Sequence, residues 1–212
     1  FIAGVVTYLQ VSDSLEHNAR ERARQAAVDL AGLIQTSLLR EFDFPYAIAS
    51  DAQIQLAVEA GRFGDIQKRL VDSLHLSGSG RGSLFITDRN GILRLDAEDQ
   101  SRIGLDISGH DYFLAVKKGR AHIGNPIKSG PTGNGIIPLC CPISTAKKGF
   151  VGAVVMAKDI DFIQALINNV RMGETGRVLI LNDRDTVILH SGQDPMLQSV
   201  IKHDPVPDAA LK

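Results

Sequence analysis

The sequence predicts an α+β chain: a long N-terminal helix, then an antiparallel sheet flanked by helices, then the start of a second, smaller unit of the same kind. Three observations lead there. From Ser12 onward apolar residues recur at spacings of three and four, the helical pattern. Near Ser83 the pattern changes to short apolar, β-branched runs separated by glycine-bearing turns, the strand pattern. Finally, an apolar strand, Asp-containing turn and apolar strand at Leu84 to Leu95 return in weaker form at Val178 to His190.

Composition sets the bounds. The chain has 212 residues, 44% hydrophobic and 22% charged, enough apolar mass for a proper core. Net charge is -1 with no run of one sign, which argues against nucleic acid as a partner. The two cysteines, Cys140 and Cys141, are adjacent. On a strand they point to opposite faces, and a bridge between neighbours needs a strained ring. They read as two small buried side chains.

The elements follow in order. Residues 1–11 (FIAGVVTYLQV) are mostly apolar and uncharged. Eleven residues are fewer than the roughly 20 that span a bilayer, so they fit either the end of a possible transmembrane helix or the buried start of an ordinary one. Residues 12–76 form a helical lead-in. Leu15, Ala19, Ala23, Ala26, Leu30, Ile34 and Leu38 make its apolar face, Arg20, Glu21, Arg24 and Asp29 its solvated side, and Asp13 a cap. Pro45 predicts a kink or break beside Phe44. A second helix then runs to about Ala60, with Gly61 at its end. A third covers Ile66 to Leu76 and is closed by the turn-rich stretch Ser77 to Ser83.

Residues 77–158 carry the first sheet unit. Leu84-Phe85-Ile86, the Asn90-Gly91 turn and Ile92 to Leu95 make a hairpin signature. Asp106 to Lys118 predicts a short helix ended by Gly119. Strands are expected at Ala121 to Lys128, Ile136 to Ser144 and Phe150 to Ala157, with Ser129 to Gly135 as a connecting turn. Residues 159–172 predict a connecting helix, Asp159 to Val170. Residues 173–212 hold the strand pair Val178 to Leu181 and Val187 to His190, the opening of a partial second unit.

Taken together, LFITDRNGILRL, DISGHDYFLAVKKG, AHIGNPIKSGPTGNGIIPLCCPIS, KGFVGAVVMAKDIDFIQAL and GETGRVLILNDRDTVILHS resemble the double-Cache sensor domains. These are PAS-like modules found outside the membrane in histidine kinases, chemoreceptors and diguanylate cyclases. The likeness covers almost the whole chain. It is carried best by the Asp88-x-x-Gly91 hairpin followed by Asp111-Tyr112-Phe113.

The resemblance implies a membrane-distal PAS-like unit that holds a small ligand. It further implies a partial membrane-proximal PAS-like unit, a periplasmic location on an inner-membrane protein, and relay through the long helix to a cytoplasmic kinase or cyclase outside this sequence. Ligand binding shifts such an equilibrium only when one arrangement binds better than the other. Leu15, Ala19, Ala26 and Leu30 serve either an internal core face or the seam of a homodimer through that helix.

The candidate ligand residues each have a plainer alternative. Tyr112 offers an amphipathic ring, or is an ordinary core aromatic. His110 and Asp111 flank it as polar contacts, or as caps. Arg94 and Lys128 supply charge for a carboxylate, or are solvated. His122 lies on a strand with its direction open. Asp159 matches the acidic residue that receives the ligand's amino group in amino-acid-binding relatives, or caps the helix after it. Those relatives carry an arginine before the aromatic pair; here the stretch reads Ser108-Gly109-His110-Asp111-Tyr112-Phe113. A small organic acid or another polar metabolite is therefore as good a candidate as an amino acid.

No enzyme motif emerges. The six histidines lack metal-ligand spacing, the glycine-rich stretches at Gly78 to Gly80 and Gly130 to Gly135 lack a P-loop's lysine and hydroxyl, and no nucleophile elbow is present. No cofactor is implied. The rival reading is a ligand-free structural, dimerisation or protein-interaction module whose pocket is filled by its own side chains.

Overall fold

The computed structural model describes residues 2–76, 82–128, 135–170, 178–181 and 187–190. Helix α1, Ile2–Ser50, is 49 residues long. The proline signal points to a break at Pro45, yet the helix runs through it and ends at Ser50. An interior proline costs about 3 kcal/mol; here Pro45, Ile48 and Ala49 are buried, and their packing outweighs it. The break comes six residues later. Asp51 caps α2 (Ala52–Glu59), its Oδ1 accepting from the N–H groups of Gln53 at 2.8 Å and Ile54 at 3.2 Å. Arg69 pairs with the other oxygen. A 3-10 turn at Phe63–Ile66 then leads into α3, Gln67–Leu76.

Alternating apolar residues build the sheet. Its strands are β1 (Gly82–Asp88), β2 (Leu93–Asp96), β3 (His122–Ile123), β4 (Ile127–Lys128), β5 (Gly135–Thr145) and β6 (Gly149–Asp159). The order is β2-β1-β6-β5-β3, with β4 also on β5, and every pairing is antiparallel. The single strand expected at Ala121 to Lys128 is two short ones, because Gly124-Asn125-Pro126 lies between them and a proline gives the ladder no N–H. Of the turns expected at Ser77 to Ser83 and Ser129 to Gly135, residues 77–81 and 129–134 lie outside the described residues, while Gly82 and Ser83 already belong to β1 and Gly135 to β5.

The β1–β2 turn is as its Asn-Gly signature predicts. Asp88 Oδ1 accepts from Asn90 N at 2.9 Å and Ile92 N at 3.1 Å, and Gly91 sits at φ +90°. A side chain there would be strained, and would also meet Ser108 Cα at 2.8 Å. The helix expected from Asp106 is only α4, Asp111–Val116. Asp106 is held extended by a bridge to Ile92 and accepts from Ser108 N at 2.8 Å, so the helix waits until His110.

Contacts divide the chain into two compact units, residues 38–161 and residues 1–37 with 162–212. The first contains the six-stranded sheet. α2 packs against β5 and β6 on one face, and α4 against β3 and β5 on the other. Strand alternation sends Cys140 to the α4 face and Cys141 to the α2 face; both thiols are free and buried, as their adjacency predicts. In the second unit α5 (Asp161–Asn168) begins two residues later than expected, Ile163 and Ile167 are buried, and β7 (Leu179–Leu181) pairs antiparallel with β8 (Val187–His190). The turn between these two strands lies outside the described residues. Among the described residues no helix is long and apolar enough to cross a membrane.

Candidate ligand-binding site

α4 exists because the Asp-Tyr-Phe-Leu-Ala-Val run can bury Tyr112, Phe113 and Val116 in one short amphipathic stretch. These three join Phe85, Leu93, Ile107, Cys140, Ala153 and Val155 in a single apolar cluster on the α4 face of the sheet. Phe150 meets Phe113 edge to face, with ring centroids 6.1 Å apart. Tyr112 lies deep. Glycine at position 124 permits this, since a Cβ there would stand 2.9 Å from Tyr112 Cβ and 2.6 Å from Pro138 Cγ.

The polar candidates gather around this tyrosine. His110 stacks on the Tyr112 ring at 5.0 Å between centroids. Asp111 accepts from the Tyr112 backbone N–H through Oδ1 at 2.7 Å and lies 3.5 Å through Oδ2 from Asn125 Nδ2. Asn125 escaped the sequence analysis; the Asn-Pro dipeptide that ends β3 was its only signal. His122 is half-buried opposite Cys140 in the β3–β5 ladder, at the edge of the same face.

Burial first, with smaller electrostatic contributions from its neighbours Cys140 and Asp111, pushes the Tyr112 phenol well above its ordinary range. It therefore remains a neutral hydroxyl, able to donate and to accept. The residue as a whole is only 4% exposed. The Thr87 hydroxyl, on the same face of the sheet, is buried and has no hydrogen-bond partner among the described residues. Burial also raises the Cys140 thiol, and pushes Cys141 up to about 12, so neither presents a thiolate.

Lys128 and Asp159 sit at one end of the sheet. Lys128 pairs with Gly135, and Asp159, the last residue of β6, pairs with Ile136. Asp159 is thus a strand residue, set beside the acidic groups of the β2–α4 connection. Its charge helps raise the Glu98 carboxyl, after burial and Asp96. Glu98 follows Asp96, which is fully buried and pairs with Arg102 Nε at 3.0 Å through Oδ2 while its Oδ1 accepts from the N–H groups of Glu98 and Asp99. This pair organises the connection that delivers α4, and nothing in its local sequence marked it.

Arg94 is placed elsewhere. Its Nε donates to Asp88 Oδ2 at 2.8 Å, and it lines a cleft of about 560 Å³ at the turn end of the sheet. None of the other six candidates lines that cleft. The structure therefore brings His110, Asp111, Tyr112 and His122 together around α4, sets Lys128 and Asp159 at the β4–β5–β6 end, and separates Arg94 from both groups.

Comparison with known proteins agrees with this architecture. No curated protein matches the sequence. Among solved structures, the V. cholerae histidine kinase DctB sensor domain superposes with a TM-score of 0.67 at 16% identity, covering 82% of this chain and 67% of that one. The Campylobacter jejuni chemoreceptor Tlp3 ligand-binding domain, in complex with 4-methylisoleucine, gives 0.67 at 16% identity over 91% and 77% of the two chains. The Pseudomonas fluorescens chemoreceptor CtaA domain, in complex with L-isoleucine, gives 0.66 at 15% over 88% and 74%. At such identities the likeness is one of fold. The family model described as Cache domain matches residues 7–209, nearly the whole sequence, and the chain belongs to that family.

Proposed function

We propose that this Cache domain is the extracytoplasmic part of a membrane-anchored receptor, that it binds a small polar or anionic metabolite beneath α4, and that binding is relayed along α1 to a signalling output. The observation that carries the reading is a polar cluster over the α4 face of the sheet: the Tyr112 ring, buried and stacked by His110, beside the Thr87 hydroxyl, which is buried without a partner among the described residues. A buried hydroxyl left unpaired costs about 1–3 kcal/mol, which a ligand oxygen or nitrogen would recover. His110, Asp111, Asn125 and His122 supply further polar contacts around an apolar floor, the usual composition of a small-molecule site.

The Tlp3 and CtaA domains are described with 4-methylisoleucine and L-isoleucine. Here the stretch Ser108 to Phe113 holds no arginine of the kind that amino-acid binders of the family carry before the aromatic pair, which widens the ligand class to small organic acids and other polar metabolites. Relay is supported by Lys158, adjacent to Asp159 on β6, whose Nζ reaches Glu41 Oε2 of α1 at 3.0 Å. A homodimer along α1 is part of the same reading. Leu30 is buried and so belongs to the core face, whereas Leu39 and Tyr46, seven residues apart, are each more than half exposed and offer a seam.

The test is a thermal-shift screen of organic acids, amino acids and nucleobases. A compound that raises the melting temperature with its concentration, in wild type and Arg94→Gln but not in Tyr112→Phe, supports a sensor with its pocket under α4. A flat response across the library sinks the small-molecule reading and favours an interaction module whose α4 face is filled by Phe85, Leu93 and Phe113.

A further inference from the structure

We propose that the cleft at the turn end of the sheet is a second binding site, independent of the one under α4, for a small monocarboxylate with an apolar, ring-sized body. Three segments far apart in sequence form it: the C-terminal end of α2 with Phe63 after it, the β1–β2 turn, and the β5–β6 turn. Its volume of about 560 Å³ is in the range that small-molecule sites occupy.

The walls are fixed before anything binds. Asp88 spends one oxygen on the Asn90 and Ile92 N–H groups and the other on Arg94 Nε, which orients the guanidinium and leaves its two Nη groups without a partner among the described residues. Across the cleft, Lys148 Nζ donates to the Glu59 carbonyl at 3.0 Å and lies 3.9 Å from its carboxylate, tying the β5–β6 turn to the end of α2.

Charge and surface then select the ligand. Lys148 is matched by Glu59 and Arg94 by Asp88, so Arg89 is the cation in surplus, and it has no hydrogen bond or ion pair with any described residue. One uncompensated positive charge suits one carboxylate, and a guanidinium edge takes a carboxylate in a two-pronged contact. Apart from Asn90 the rest of the lining is apolar: Val58 and Val151 are buried, and the rings of Phe63 and Phe150 are half-buried. A flat hydrocarbon body would lie on those rings while its carboxylate faces the arginines.

The experiment is an amide NMR titration of the 212-residue chain at fixed ionic strength with sodium benzoate, and with benzamide as the neutral isostere. Saturable benzoate shifts at Gly61, Gly91 and Phe150 are expected, with none from benzamide. Arg89→Gln, at a side chain that holds nothing else in place, should weaken benzoate about tenfold, as should Arg94→Gln. Tyr112→Phe should leave the affinity unchanged, which separates this site from the one under α4. The proposal is overturned if benzoate leaves those three amides unmoved, if benzamide moves them equally, or if Arg89→Gln binds benzoate as wild type does.

Discussion

On one face of the six-stranded sheet Leu84, Ile86, Leu139, Cys141, Val154 and Met156 are wholly buried on the side where α2 packs. On the other, Phe85, Cys140 and Val155 meet Tyr112 and Phe113 from a helix of six residues. Both faces exclude water almost equally, yet they differ in chemistry. The α2 face has apolar side chains throughout its centre and a helix capped at its start by Asp51. The α4 face carries a buried hydroxyl, Thr87, without a described partner, the phenol of Tyr112, and a polar fringe of His110, Asp111, Asn125 and His122. A face whose contacts are all apolar is satisfied by packing alone, whereas one that buries an unpaired hydroxyl gains by meeting a ligand. Equal burial thus conceals one face built for stability and one with polar capacity left over.

The largest expected effect lies on the α2 face. A Cβ at Gly152 would stand 2.2 Å from the Thr87 carbonyl oxygen and 3.1 Å from Val58 Cγ1. Gly152→Val should therefore cost about 3 kcal/mol in urea unfolding. If it is tolerated, the close packing of α2 on the sheet is refuted. Next comes Asp51→Ala, which removes the α2 cap and should cost about 1 kcal/mol in the same assay.

Asp51 also sets a pH dependence. Burial raises its carboxyl, but the Arg69 hydrogen bond and the Ile54 and Gln53 N–H groups outweigh burial and hold it below the usual range. A depressed folded-state value gives stability that is present above the unfolded value of about 3.9 and lost as pH falls through the folded one. The wild-type advantage over Asp51→Ala should shrink in that acid window, which parallel unfolding curves at descending pH would show.

Smaller effects are expected around the α4 face. Tyr112→Phe removes the phenol hydroxyl alone, so unliganded stability should change by less than about 0.5 kcal/mol. A larger loss would reveal a hydrogen bond already made within the protein. Smallest is Glu98→Gln, in the connection that leads into α4. Burial first, and then Asp96, raise the Glu98 carboxyl. A raised folded-state value means stability present below about 4.3 and lost as pH rises through the folded value, the reverse of Asp51. Glu98→Gln should stabilise the protein at pH 7, by only about 0.3 kcal/mol because solvent screens the exposed carboxylate. The gain should vanish in acid; a gain that persists there would assign it to packing instead.

Much of the fold was legible from neighbours in sequence. Periodicity of three and four gave α1, the Asn90-Gly91 pair gave the first hairpin, and alternation gave β5, β6 and the parting of Cys140 from Cys141. Of the candidate site, the sequence made legible the cluster around α4, where Asp111, Tyr112 and His110 are themselves neighbours. Arg94 stands apart from them because its partner Asp88, six residues away across a turn, holds it at the hairpin's own cleft.

By itself, then, the sequence determined the kinds of element, their order and the family, since these follow from chemistry repeated over a few residues. Tertiary structure decided where those elements stop and which charged groups meet. Burial beside Pro45 carries α1 on to Ser50, the Ile92–Asp106 bridge delays α4, and Lys148 finds Glu59 from 89 residues away. A helix end or an ion pair is settled by competition among partners that only the folded chain brings together. Periodicity along the sequence records one side of that competition.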